Sequence, residues 1–111
     1  MEHNVRLELE IVRKMKKLLD SPEKWTKGAT AKNSRGEIIS SRDKDAICWC
    51  LVGATRRCDP NFHFLTYEIF SPVMEGFVKT VSIPIWNDAP ERTYEDIVEL
   101  LNKTEEYYTA N

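Results

Sequence analysis

Ser40-Ser41-Arg42-Asp43-Lys44-Asp45-Ala46-Ile47-Cys48-Trp49-Cys50-Leu51-Val52-Gly53-Ala54-Thr55-Arg56-Arg57-Cys58 opens polar and becomes the most apolar segment of the chain. Ser40-x-x-Asp43 has the form of a capping box, in which each side chain answers the other's backbone N–H. Ala46, Ile47, Cys50, Leu51, Ala54 and Cys58 then recur at spacings of three and four, the repeat of one helical face. The pattern predicts a central helix ended by Asp59-Pro60. Gly53 and Ala54 lower its helix propensity but leave room for another backbone or an aromatic ring to come close.

Working outward, Val5, Ile11, Val12, Met15, Leu18 and Leu19 predict an amphipathic first helix with Asn4 as N-cap and Ser21-Pro22 as stop. Pro22 at a first helical position predicts a short turn leading to Trp25, a lid on the core. Gly28-Ala29-Thr30-Ala31, the turn Asn33-Ser34-Arg35-Gly36 and Glu37-Ile38-Ile39-Ser40 read as a short β-hairpin or two extended arms, which need helices behind them to be stable. On the far side, Phe62, Phe64, Leu65, Tyr67, Ile69 and Phe70 fit a buried helix or an aromatic strand. The flanking breakers Asp59-Pro60 and Ser71-Pro72 favour a helix over 61–70. Phe77, Val78, Val81, Ile83 and Ile85 alternate with polar residues around Pro84, which predicts an extended connector or edge strand. Thr93-x-x-Asp96 opens a last helix that buries Ile97, Leu100, Leu101 and Tyr108. The fold class expected is mainly α (α+β), a small helical bundle of three to four helices with the hairpin or arms, forming a single domain over residues 1–111.

The 111 residues are 41% hydrophobic, 31% charged and 10% aromatic, with only 4 glycines and 5 prolines, a composition that excludes disordered and collagen-like chains. A net charge of −2 gives neither the basic footprint of a nucleic-acid binder nor the acidity of a DNA mimic. No apolar run reaches the length of a membrane span, so no membrane partner is expected. The opening Met1-Glu2-His3-Asn4 lacks the basic and apolar regions of a secretory signal, and three cysteines is an odd number, so the expected location is a reducing cytoplasm without disulfides.

Cys48, Cys50, Cys58 and His63 are four soft donors close in sequence, the ligand types that zinc selects. Residues two apart on a helix point about 200° from each other, however, so Cys48 and Cys50 would not share an ion. No metal and no cofactor is expected. His63 lies near Cys58 as the base a thiol nucleophile would need, but Asp59 and the helix C-terminus oppose a thiolate there. No Gly-x-Ser-x-Gly, Walker loop, dinucleotide fingerprint or His-Glu-x-x-His occurs, and the chain is not expected to be an enzyme.

Ile85-Trp86-Asn87-Asp88-Ala89-Pro90-Glu91-Arg92-Thr93 is the most distinctive segment. As structure, Asn87 and Asp88 make Asx turns, Pro90 fixes φ, Thr93 caps the helix, Trp86 fills the core and Arg92 pairs with Asp88. As function, Trp86, Asn87, Asp88 and Arg92, with Arg56 and Arg57, would form a recognition surface, because Trp and Arg dominate binding hot spots.

The ordered landmarks Trp25-Thr26-Lys27-Gly28-Ala29, Ala46-Ile47-Cys48-Trp49-Cys50-Leu51-Val52-Gly53-Ala54 and Trp86-Asn87-Asp88-Ala89-Pro90-x-Arg92-Thr93 resemble those of a family of small uncharacterised bacterial and bacteriophage proteins, a domain of unknown function. The resemblance spans most of the chain. It implies a helical fold with a Trp-Asn-Asp turn into a terminal helix, and it carries no catalytic residues. The stretch from Phe62 to Ile85 is more aromatic than the alanine-rich helix the resemblance implies.

These readings lead to the expectation of a small non-enzymatic cytoplasmic protein, phage-encoded, that binds and modulates a host or viral protein through the Trp86 to Arg92 turn and the aromatics of 62–77. Two alternatives remain. One is a nucleic-acid-associated regulator using Arg13, Lys14, Lys16, Lys17, Arg35, Arg42, Arg56 and Arg57. The other is a metal or small-ligand protein using Cys48, Cys50, Cys58 and His63.

Overall fold

The computed structural model describes residues 5–74 and 82–110. Among them are five α-helices and one two-stranded antiparallel sheet: α1 (Val5–Leu18), β1 (Ala31–Lys32), β2 (Cys48–Trp49), α2 (Leu51–Cys58), α3 (Thr66–Met74), α4 (Ile83–Asp88) and α5 (Tyr94–Ala110). The fold is mainly α with a short β ribbon, as the sequence predicts. None of these helices is long and apolar enough to cross a membrane.

The two long helices follow their sequence stripes. Ile11, Val12, Met15 and Leu19 of α1 and its C-terminal flank are buried, as are Ile97, Leu100, Leu101 and Tyr108 of α5. The same three-and-four spacing on both lets α1 and α5 pack face to face. Glu105 ties the pair at the surface, accepting from Arg13 Nε at 2.9 Å and Lys16 Nζ at 2.6 Å. Tyr94 and Tyr108 donate their hydroxyls to the carbonyls of Leu19 and Ile69, fixing α5 against α1 and α3. The expected capping box forms: Thr93 N donates to Asp96 Oδ2 at 3.0 Å and Asp96 N to Thr93 Oγ1 at 3.2 Å.

The central helix is shorter than its stripe predicts. Ser40 and Asp43 make turns, accepting from Arg42 N and Asp45 N, and no helix follows them. Cys48 and Trp49 are a strand instead, paired with Lys32 and Ala31. Tertiary partners take the backbone donors that the helix would have used: Ile47 N donates to Lys32 O and Cys50 N to Thr30 O. Helix α2 begins only at Leu51, with Cys50 as N-cap and its thiol accepting from Gly53 N. The hairpin turn at Asn33 to Glu37 is present, but β1 meets its sequence neighbour only at the Lys32–Ile38 bridge.

Two further boundaries differ. The favoured helix over 61–70 begins later, since residues 61–65 are irregular and α3 runs through Ser71-Pro72 to Met74. Proline removes one helical hydrogen bond, and burial of Ile69, Phe70 and Met74 on one face holds the last turn despite it. Ile83 to Ile85, expected to be extended, opens α4. Ser82 caps it by accepting from Ile85 N, and Pro84 sits in the first turn, where its missing N–H costs nothing. Asn4 and the segment Phe77 to Val81 lie outside the described residues.

Candidate functional site

The three sequence landmarks meet at one side chain. Asn87, at the end of α4, is fully buried and uses both ends of its amide. Oδ1 accepts from Trp25 Nε1 at 2.8 Å and from Leu51 N at 3.1 Å, while Nδ2 donates to Thr26 O at 3.1 Å and Asp88 Oδ1 at 2.9 Å. An indole and a backbone N–H can only donate, so the amide has one workable orientation. Asp88 Oδ1 also accepts from Gly28 N at 3.1 Å, at a glycine with φ of +81°. Lys27 completes the junction by donating Nζ to Ala89 O at 2.7 Å.

Gly53 serves the same junction by its lack of a side chain. A Cβ there would lie 1.8 Å from the carbonyl oxygen of Thr30, so the close approach predicted from the sequence is made by backbone. Burial, with the charge of Asp88 as a smaller contribution, pushes the Cys50 thiol up.

The residues read as a recognition surface occupy separate places. Trp86 and Asn87 are buried, so Asn87 contacts the fold on every side rather than solvent. Arg92 does not pair with Asp88. It lies over the Trp86 ring at 3.9 Å, donates Nε to Trp86 O at 2.8 Å and sits 3.6 Å from Asp96. Two acceptors hold it there, Trp86 O in α4 on one side and Asp96 in α5 on the other, and Asp88 is already satisfied by Gly28 and Asn87. Arg57 donates to the carbonyls of Ser41 and Asp43 and covers Trp49, so it builds the 41–45 turn. Arg56, one residue earlier, is exposed.

Arg56 faces a groove of about 980 Å³ bordered by the 40–42 turn, α2, the 62–67 segment and the start of α4. Large apolar side chains stand open to solvent on the 62–67 segment: Phe62 is 63% exposed, Leu65 71% and Tyr67 62%. Phe62 has φ of +54°, a left-handed conformation uncommon for an aromatic residue. Its N–H donates to Asp59 O, and its ring lies 4.3 Å from the Arg42 guanidinium. Arg42 is itself held by the carbonyls of Pro60 at 2.6 Å and Arg56 at 3.4 Å.

Asp59 anchors this segment from below. It is buried, with Oδ1 on His63 Nδ1 at 2.8 Å and Oδ2 accepting from Phe64 N at 2.9 Å. Burial works to raise its pKa, but the hydrogen bonds from the Phe64 amide and His63 outweigh it and hold the carboxyl below its ordinary value. Phe62 and Arg42 were missed as a pair by sequence reasoning, since nothing local marks an aromatic residue in a left-handed turn beside a cation twenty residues earlier.

Cys48 lies in β2, Cys50 caps the start of α2 and Cys58 ends it, and all three are buried and free. At a rise of about 1.5 Å per residue, the two ends of that helix are too far apart to share one ion. Among the described residues no three His, Cys, Asp or Glu side chains come together as a metal would require. Burial pushes the Cys58 thiol up to about 11, far from the reactive thiolate. Of the basic residues, Arg13 and Lys16 are engaged by Glu105 and Arg35 by Glu37, while Arg42 and Arg57 hold backbone carbonyls.

A chain of this sequence belongs to a family of proteins of unknown function, DUF6197, whose profile matches residues 6–107. No curated protein and no solved structure matches it.

Proposed function

We propose that the protein is a non-enzymatic, cytoplasmic interaction protein that binds and modulates a partner protein, in a bacterial or bacteriophage setting a host or viral one. One observation carries this reading: Phe62, Leu65 and Tyr67 stand exposed along one short segment at the edge of the groove. A soluble monomer seldom leaves large apolar side chains grouped in the open, and such groups mark contact surfaces. Covering each of them completely is worth about 1.5–3 kcal/mol. The segment is also rigid enough to present them, because Asp59 and Arg42 fix its backbone from two sides.

The Trp86 to Arg92 turn enters this reading as support rather than contact. Asn87 holds the first residue of α2, and α2 forms a wall of the groove through Val52, Thr55 and Arg56.

Tagged wild-type protein and a Phe62→Ser/Leu65→Ser variant with unchanged circular dichroism are the test, each used to capture proteins from a nuclease-treated bacterial lysate. The expected result is one stoichiometric protein held by the wild type, reconstituted with it from purified components and lost by the variant. Equal capture by both, or none by either, would overturn the proposal.

A further inference from the structure

We infer that the groove beside Phe62 takes an apolar segment carrying carboxylates, an acidic amphipathic stretch of a partner protein, with Arg42 and Arg56 receiving its acidic side chains. This rests on the interaction reading above and specifies the chemistry of the partner.

The charges bordering the groove support it. Among the described residues, three charged side chains line it: Arg42, Arg56 and Asp59. Asp59 is already answered by His63 and the Phe64 amide, so the charge left for an incoming chain is cationic. Arg56 is exposed, and its guanidinium has no partner among the described residues. Arg42 has spent Nε and one Nη2 hydrogen on the carbonyls of Arg56 and Pro60, which leaves Nη1 to donate.

Arg42 is also positioned in advance. Two carbonyls and the Phe62 ring fix its plane, so little rotamer entropy is left to lose when a carboxylate arrives. The left-handed Phe62 backbone is a sparsely populated conformation for an aromatic residue, the kind of strain that persists where a fold holds a side chain in place for contact. An aromatic face, a fixed guanidinium and neighbouring Leu65 and Tyr67 suit a ligand that alternates apolar and acidic side chains. A basic segment would meet two like charges, and a purely apolar one would leave both guanidinium groups facing an uncompensated interface.

The test selects a randomised peptide library on immobilised protein, then measures chosen peptides by fluorescence anisotropy. Enrichment of Asp or Glu next to aromatic or branched residues is expected. Replacing those acids by Asn or Gln is expected to weaken binding to the wild type about fivefold per contact, with the loss diminished on Arg42→Gln and on Arg56→Gln. The amide peptides need no altered protein, so the result stands even where Arg42→Gln disturbs the turn. Peptides that bind through apolar residues alone, lost with Leu65→Ser but indifferent to amide replacement, would overturn the inference and leave the groove reading intact. Selection of no peptide, or of peptides indifferent to Leu65→Ser, would overturn both. A wild-type dimer in analytical ultracentrifugation that Leu65→Ser converts to monomer would also overturn it, since a second copy would then be the occupant.

Discussion

Asn87 Oδ1 accepts the indole N–H of Trp25 at 2.8 Å, joining residues 62 apart in sequence. The same oxygen accepts Leu51 N, so one buried amide sets the positions of the segment after α1, the start of α2 and the end of α4. Asn87→Ala would take the partner from two donors, the Trp25 indole N–H and Leu51 N, and from the Thr26 carbonyl, while exposed Asp88 keeps the Gly28 N–H. The expected loss is about 3–5 kcal/mol of unfolding free energy, measured by urea denaturation. A loss under about 1 kcal/mol would show that water replaces the amide.

Gly53→Ala is expected to destabilise although alanine is the better helix former. The gain in propensity is about 1 kcal/mol, whereas the new methyl would lie 1.8 Å from the Thr30 carbonyl, a backbone atom that cannot rotate away. Forcing Thr30 and α2 apart costs about 3 kcal/mol, the upper end for overpacking, so the net loss is about 2 kcal/mol. Thermal unfolding of the two proteins side by side decides it, and a rise in Tm would refute the packing described.

Acid should destabilise the protein through Asp59. Its carboxyl titrates below the ordinary value of 3.8 in the folded state, so the stabilisation is complete above that value and disappears as pH falls through the lower, folded one. Asp59→Asn is expected to be less stable than wild type at neutral pH and to lose less on acidification. Parallel denaturation curves of the two proteins across acid pH would contradict the assignment.

Thiol chemistry offers an independent check on burial. Desolvation raises the Cys50 thiol and carries Cys58 to about 11, so neither supplies thiolate near neutral pH. Ellman's reagent should label these two only slowly in native protein and promptly in denaturant. Fast native labelling of Cys58→Ser to the same extent as wild type would leave Cys48 or Cys50 as the accessible thiol.

Removing the cap of the last helix should be a mild change. Thr93→Ala takes away the acceptor for Asp96 N, worth about 1 kcal/mol, without touching the groove. Partner capture is therefore expected to survive it, in contrast to Phe62→Ser/Leu65→Ser.

Where hydrophobic repeats were long, they described the fold. The stripes of α1 and α5 and the Thr93 and Asp96 box could all be read directly, because fourteen and seventeen residues give the helical period several turns in which to show itself. The segment from Ala46 to Cys58 misled because its i, i+4 apolar positions are compatible with a helix along its whole length. The preference was decided from outside, by the Lys32 and Thr30 carbonyls that accept the N–H groups of Ile47 and Cys50. At Ser82-Ile83-Pro84 the information was present, a hydroxyl cap followed by proline in the first turn, and the alternating apolar residues around it concealed it. The turn of 86–92 was legible as a landmark, but its side chains gave no sign of whether they face inward or outward, since Trp, Asn and Arg serve both uses.

The placement of Asn87 bears on how mutational data for this protein would read. It touches no solvent, yet it secures the residue from which α2 departs, and the outer side of α2 is groove wall. An alanine scan scored by binding alone would therefore rank Asn87 beside Phe62 and Leu65 as an interface residue. Only scoring folded protein in the same samples would separate the joint that sets the wall from the surface proposed for contact.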